Sequence, residues 1–339
     1  MVNRVLTGIM AAACAVAVVG AQGGGRGGGG GSQFPAAQEF ASSKQAQQHV
    51  ANAMKIAGTD LAAEAKAFCT PTGPQRPALA RQAQGLKPEP DRRLEPIKLF
   101  DNMYYLGFSD VGAWAITTSD GIIVFDALNS PDEGRDVLAA GLKKVGLDPA
   151  EITYLIVGHG HNDHTGGGAH LQRTYKPRVI MGGPDWDSHI KGERPDRPAM
   201  TRGIAATHGQ QVTVGDTTVT ILLTPGHTPG TLAMLVPVRH QGQVHTVLLL
   251  SGTQMPTRES LAGFERAFND FAKKQKAEAA LGSHPDILMN KLPMMEAIGK
   301  QYPAGAHPLL IGPARFSRYL DIMLECGRAR LAALESRAS

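Results

Sequence analysis

The densest chemistry in the chain lies in six consecutive residues. His159-Gly160-His161-Asn162-Asp163-His164 sets three imidazoles and a carboxylate directly after an apolar run, Ile152 to Val157. In an extended loop, residues two apart point the same way, so His159 and His161 can present two nitrogens to one cation. As the chain turns towards a helix, Asp163 and His164 are aimed elsewhere and can reach a second ion a few ångströms away, as two-metal hydrolases require. The flanking glycines permit the tight turn. Core packing or a solvated loop explains such a density of ligand types poorly.

Two cations need more ligands than this loop offers. His227 sits in Thr224-Pro225-Gly226-His227-Thr228-Pro229-Gly230, a rigid turn after a strand that would hold an imidazole in one place, and it is the expected third ligand of the first ion. His284, in Gly282-Ser283-His284-Pro285, is the candidate to complete the second site; its other reading is a helix-end histidine satisfied by solvent. His189, His208 and His307 read as surface imidazoles, any of which could stand in for His284. Zinc suits imidazole and carboxylate ligands best, while iron or manganese tolerates the same set. No Gly-x-Ser-x-Gly elbow supports a serine hydrolase. Gly166-Gly167-Gly168 lacks the Gly-Lys-Ser/Thr ending of a phosphate loop. Trp186 lies between the metal loop and His227, where it would either cover the site or pack as a loop aromatic.

The elements around these residues read as an α/β sandwich. Ile97 to Phe100, Met103 to Phe108, Ala113 to Thr117 and Ile122 to Phe125 form an opening meander, followed by a helix over Glu133 to Val145 and the strand Ile152 to Val157. A second β-rich half spans Val212 to Val214, Val219 to Leu223, Leu232 to Val236 and Val244 to Leu250. Helices are expected over Ser260 to Leu281, Pro293 to Lys300 and Ala314 to Leu334. Upstream, 1–21 has a basic residue, an apolar run and small residues before Gln22, the pattern of a secretory signal, too short to span a membrane. A Gly-rich leader (22–35) and a helical extension with a Pro-rich linker (36–96) precede a main domain at 97–339. After signal removal no stable membrane insertion is expected, and the protein would be periplasmic or secreted. Cys69 and Cys326 then remain as an even pair, either bridged or separately buried. Lys plus Arg number 34 against 30 Asp plus Glu, a net +4 without charge blocks, so nucleic acid is excluded as a partner. A small molecule is the expected substrate, and a monomer or weak oligomer the expected state.

The His-x-His-x-Asp-His loop, the Gly-His-Thr-Pro-Gly turn and His284 together make the chain resemble the metallo-β-lactamase superfamily, over roughly Ile97 to the C-terminus. Asp110-Val111-Gly112-Ala113-Trp114-Ala115-Ile116-Thr117-Thr118, followed by Asp120-Gly121-Ile122-Ile123, is similar to the third subclass of zinc β-lactamases, which lacks a cysteine ligand. The resemblance implies an αββα four-layer sandwich, which the N-terminal helical extension precedes. It implies two zinc ions, one on His159, His161 and His227 and one on Asp163, His164 and His284. It further implies an exported hydrolase that opens the β-lactam ring by attack of a metal-bound hydroxide, without an acyl-enzyme, with Asp163 both ligating and orienting the nucleophile. Thr253 stands where other members carry a bridging aspartate or a cysteine and this subclass usually a serine, and is the expected substrate contact. Gln254-Met255-Pro256 departs from the subclass's serine-containing stretch. The competing functions are a lactonase or phosphodiesterase-like hydrolase of the same fold, and a metal-binding module without turnover.

Overall fold

The computed structural model describes residues 33–74, 92–288 and 290–337. The expected secretory signal and most of the Gly-rich leader and of the Pro-rich linker lie outside the described residues. The short apolar runs become strands because alternate side chains find a core on each face. In one sheet, β1 (Ile97–Phe100), β2 (Met103–Gly107), β3 (Gly112–Thr118), β4 (Gly121–Phe125), β5 (Ile152–Ile156), β6 (Arg178–Met181) and β7 (Ile204–Ala205) lie in sequence order. Pairing is antiparallel from β1 to β4 and parallel from β4 to β7. The second sheet has the order β12-β11-β10-β9-β8, from β8 (Gln210–Val214), β9 (Thr217–Leu223), β10 (Leu232–His240), β11 (Gln243–Leu250) and β12 (Ala279–Gly282).

The period of two sets the layers. Ile123 and Phe125 of β4 join Val247 and Leu249 of β11 in the core between the sheets. Their neighbours Ile122 and Val124 face a core outside the first sheet, and Leu248 and Leu250 face one outside the second. Amphipathic helices cover both outer faces, which gives the expected αββα sandwich. The expected N-terminal helices form at Ala37–Ser42, Lys44–Ala57 and Ala62–Phe68. They lie against the long helix Pro313–Glu335, where Ala46 meets Ala329, Ala332 and Ala333 in a small core that lets backbones approach closely. Cys69 and Cys326 are bridged, with Cα atoms 4.6 Å apart, and pin these two layers together.

One helix ends earlier than the sequence suggests. The segment expected as helix over Ser260 to Leu281 is helical only to Ala272, and Lys276 then takes a positive φ of 52° that no helix tolerates. Ala279-Ala280-Leu281-Gly282, whose first three residues favour helix, becomes β12 because it pairs in parallel with β11 and is buried on both faces. Tertiary pairing overrides local propensity there, and the strand delivers His284.

Candidate metal centre

The site lies where the parallel strands β4 and β5 end, with β11 and β12 of the opposite sheet ending beside them. Ligand-binding crevices form at the carboxyl ends of parallel strands because the loops diverge there. Beyond β5, His159 lies in the loop, and His161, on extended backbone, opens the short helix Asn162–Thr165 that carries Asp163 and His164. His227 lies between β9 and β10, and His284 just past β12. Gly158 has no Cβ for a reason: one built there would lie 2.2 Å from the Ser251 hydroxyl, which sits 2.8 Å from His159 Nδ1.

All six expected ligands converge as two triads. His161 Nδ1 is 3.0 Å from both His159 Nε2 and His227 Nε2. His164 Nε2 is 3.2 Å from His284 Nε2, and Asp163 Oδ2 is 3.6 Å from the former and 3.3 Å from the latter. Tetrahedral zinc with ligands at about 2.0–2.1 Å keeps them roughly 3.3 Å apart, so both donor sets have the required spacing. Ligand atoms of His159, Asp163 and His164 also fall within 4.8 Å of one another, so the triads adjoin.

Tautomers sharpen the fit. His164 Nδ1 is 2.7 Å from Asp126 Oδ2, and His284 Nδ1 is 2.7 Å from the Asp110 carbonyl. Both partners only accept, so each Nδ1 carries the proton, and in the neutral rings each Nε2 is a bare lone pair. Two lone pairs and a carboxylate oxygen therefore point at one another, an arrangement that calls for a cation between them. The same electrostatics governs protonation. Burial, and then the neighbouring imidazoles, push His159 well below its ordinary pKa and His227 down to about 4. Burial also lowers His161. Burial opposes a charge on His164, but Asp126 outweighs it and raises the pKa. Burial likewise opposes ionisation of Asp163, but when the two rings are protonated the His284 hydrogen bond and the charges of His164 and His284 hold it well below the usual carboxylate range. The first triad thus offers free-base nitrogens, the form that binds metal.

Other expected residues fall elsewhere. Trp186 is fully buried in the core outside the first sheet, and its indole N–H donates to the Ile204 carbonyl at 3.0 Å. It is a core residue and covers no site. The half-buried Thr253 receives a local contact from Gln254, whose Oε1 accepts from its amide; the β11 end touches the cluster through Ser251 instead. His189, His208 and His307 are not surface residues free to replace His284. His189 accepts from the Met200 amide, His208 accepts from the Leu223 amide, and His307 bonds the Leu99 carbonyl while stacked 4.2 Å from Phe100. Sequence reading missed Asp126, fully buried at a positive φ of 68°. Its carboxylate accepts from the Gly158 amide, His164 and the Ser283 hydroxyl beside His284. The available signal was an acidic residue closing the apolar strand β4.

Residues 106–239 match the metallo-β-lactamase superfamily. The chain's structural neighbours include metallo-β-lactamases described as subclass B3. One is BJP-1 of Bradyrhizobium japonicum, at a TM-score of 0.59 and 27% identity over 73% of this chain and 97% of that one. Two curated relatives are the N-acyl homoserine lactonase AttM of Rhizobium radiobacter, 28% identical over 172 residues, and the hydroxyacylglutathione hydrolase of Xanthomonas campestris pv. campestris (strain B100), 32% identical over 136. The matches cover 44% and 40% of this chain, and 64% and 43% of those proteins.

Proposed function

We propose that this protein is a metal-dependent hydrolase that opens the β-lactam ring, with His159, His161 and His227 holding one zinc ion and Asp163, His164 and His284 a second. The observation that carries the reading is the pair of complete triads built without cysteine, combined with likeness to a subclass B3 β-lactamase over nearly all of that enzyme's length. Bound there, the cations would supply Lewis acidity and bring the pKa of a water towards neutrality. Asp163 stays ionised, and its carboxylate orients the attacking water by accepting its proton-bearing O–H. Asp126 holds the His164 proton on Nδ1 and the Asp110 carbonyl holds that of His284 there, which keeps both Nε2 atoms facing the site. In the net reaction the water oxygen bonds to the carbonyl carbon, the C–N bond breaks, and a proton ends on nitrogen. Thr253, on the same strand end as Ser251, is the proposed substrate contact. Export is proposed from residues 1–21 and is supported by the Cys69–Cys326 disulfide, which persists in oxidising compartments.

The names of the curated relatives favour a second reading, hydrolysis of a lactone or a thioester at the same site. A chromogenic β-lactam assay on purified protein separates them. The expected result is turnover that is lost on chelation and restored by zinc. Absence of metal-dependent ring opening, together with activity on a homoserine lactone or a glutathione thioester, would transfer the assignment to the second reading.

A further inference from the structure

Asp185 is a further buried carboxylate beside the cluster, and no step above uses it. It lies in the first turn of the helix Gly183–Lys191 and is 2% exposed. An isolated carboxylate at that depth is costly unless donors satisfy it. Three do, and they come from two separate segments. The Gly160 amide donates to Oδ2 at 2.7 Å, the Thr228 hydroxyl to the same oxygen at 2.6 Å, and the Gly230 amide to Oδ1 at 2.9 Å. Gly160 separates His159 from His161, and Thr228 follows His227. Gly230 must lack a side chain, because a Cβ there would lie 2.6 Å from the Asp185 carboxyl carbon. The Gly160 carbonyl is held too, accepting from Arg197 at 3.2 Å.

We propose that Asp185 is a positioning residue for the first triad alone, fixing His159 and His161 against His227 as Asp126 fixes His164 against the segment of His284. The inference rests on the ligand assignment above. The two clamps share the metal loop but divide its partners. Asp126 accepts from Gly158, His164 and Ser283, whereas Asp185 accepts from Gly160, Thr228 and Gly230. Neither reaches the other's distant ligand segment through these bonds. Each cation therefore has its own carboxylate setting the spacing of ligands that come from different sheets, and affinity at one site is tunable without the other.

Asp185→Asn preserves size but puts an N–H₂ or a single acceptor where three donors converge, so at least one donor is orphaned. Zinc affinity is read by competition with a chromophoric chelator in two backgrounds. In His284→Ala the first triad alone is complete; in His227→Ala the second alone is. Outer-shell loss predicts about 10–100-fold weaker zinc binding from Asp185→Asn in the first background and an unchanged constant in the second. Equal loss in both backgrounds, or none in either, overturns the proposal. If Asp185→Asn does not fold, Thr228→Val removes one donor of the three. A smaller loss confined to the His284→Ala background supports the proposal, and an unchanged constant there overturns it. Wild-type zinc binding without β-lactam turnover would overturn only the proposed substrate, and a wild-type protein that binds no zinc would overturn both readings.

Discussion

The six converging side chains come from two kinds of place. Four belong to one loop after β5, where chain connectivity holds them near one another whatever the rest of the molecule does. The other two, His227 and His284, arrive singly from the second sheet, and their approach depends on how the two sheets pack through the core that joins β4 to β11. The loop thus supplies two of the three proposed ligands of each site, and the second sheet supplies the third. Residues acting within the loop should change chemistry, and residues in the shared core should change convergence.

The largest effect is expected inside the loop. Asp163→Asn keeps size but loses the charge that orients the water, and turnover should fall about 10²–10⁴-fold with the fold intact; steady-state rates alongside thermal denaturation check it. Next is the shared core, where Leu249 is fully buried between the sheets. Leu249→Ala should cost about 2–5 kcal/mol by denaturant unfolding. It should also weaken zinc binding in the folded protein, since His227 and His284 lose their fixed approach. Unaltered zinc affinity would erase the distinction between the two kinds of ligand. A smaller effect is expected at Ser251, whose hydroxyl orients the His159 ring. Ser251→Ala should weaken zinc binding about 10-fold, the lower end for an outer-shell partner, as measured by chelator competition.

The smallest effect lies away from the site, in the helical layer. Burial opposes ionisation of Glu325, but hydrogen bonds from His49, Arg328 and Asn52 win and hold it below its ordinary 4.5. A carboxylate depressed in the folded state stabilises above its unfolded pKa, and the stabilisation is lost as pH falls through the lower folded value. Half-exposed pairs of this kind contribute less than about 1 kcal/mol. Glu325→Gln should flatten that slope in unfolding curves taken below pH 5 and leave turnover untouched.

The same contrast explains what the sequence disclosed. The candidate metal loop was legible because its three imidazoles and its carboxylate are adjacent in sequence, so their proximity to one another needs no distant pairing. His227 was legible because a Pro- and Gly-bounded turn marks a fixed imidazole. Strands β1 to β5 and β8 to β11 emerged from short apolar runs, and the N-terminal helices from an Ala- and Gln-rich stretch. What escaped depends on long-range pairing. β12 has the composition of a helix and becomes a strand only beside β11. Trp186, close in sequence to the site, is drawn into the core by burial of its ring. Asp126 and Asp185 are isolated acids in the sequence, and their donors come from as far away as Ser283 and Gly230. The disulfide joins residues 257 positions apart, a proximity that spacing alone does not reveal.

Crystals of the zinc-loaded protein, recorded on both sides of the zinc absorption edge, put the convergence itself on trial. Two anomalous peaks per chain are expected, one bonded to His159 Nε2, His161 Nδ1 and His227 Nε2, the other to Asp163 Oδ2 and the Nε2 atoms of His164 and His284. A single peak, or density bonded to residues outside these two sets, would contradict it.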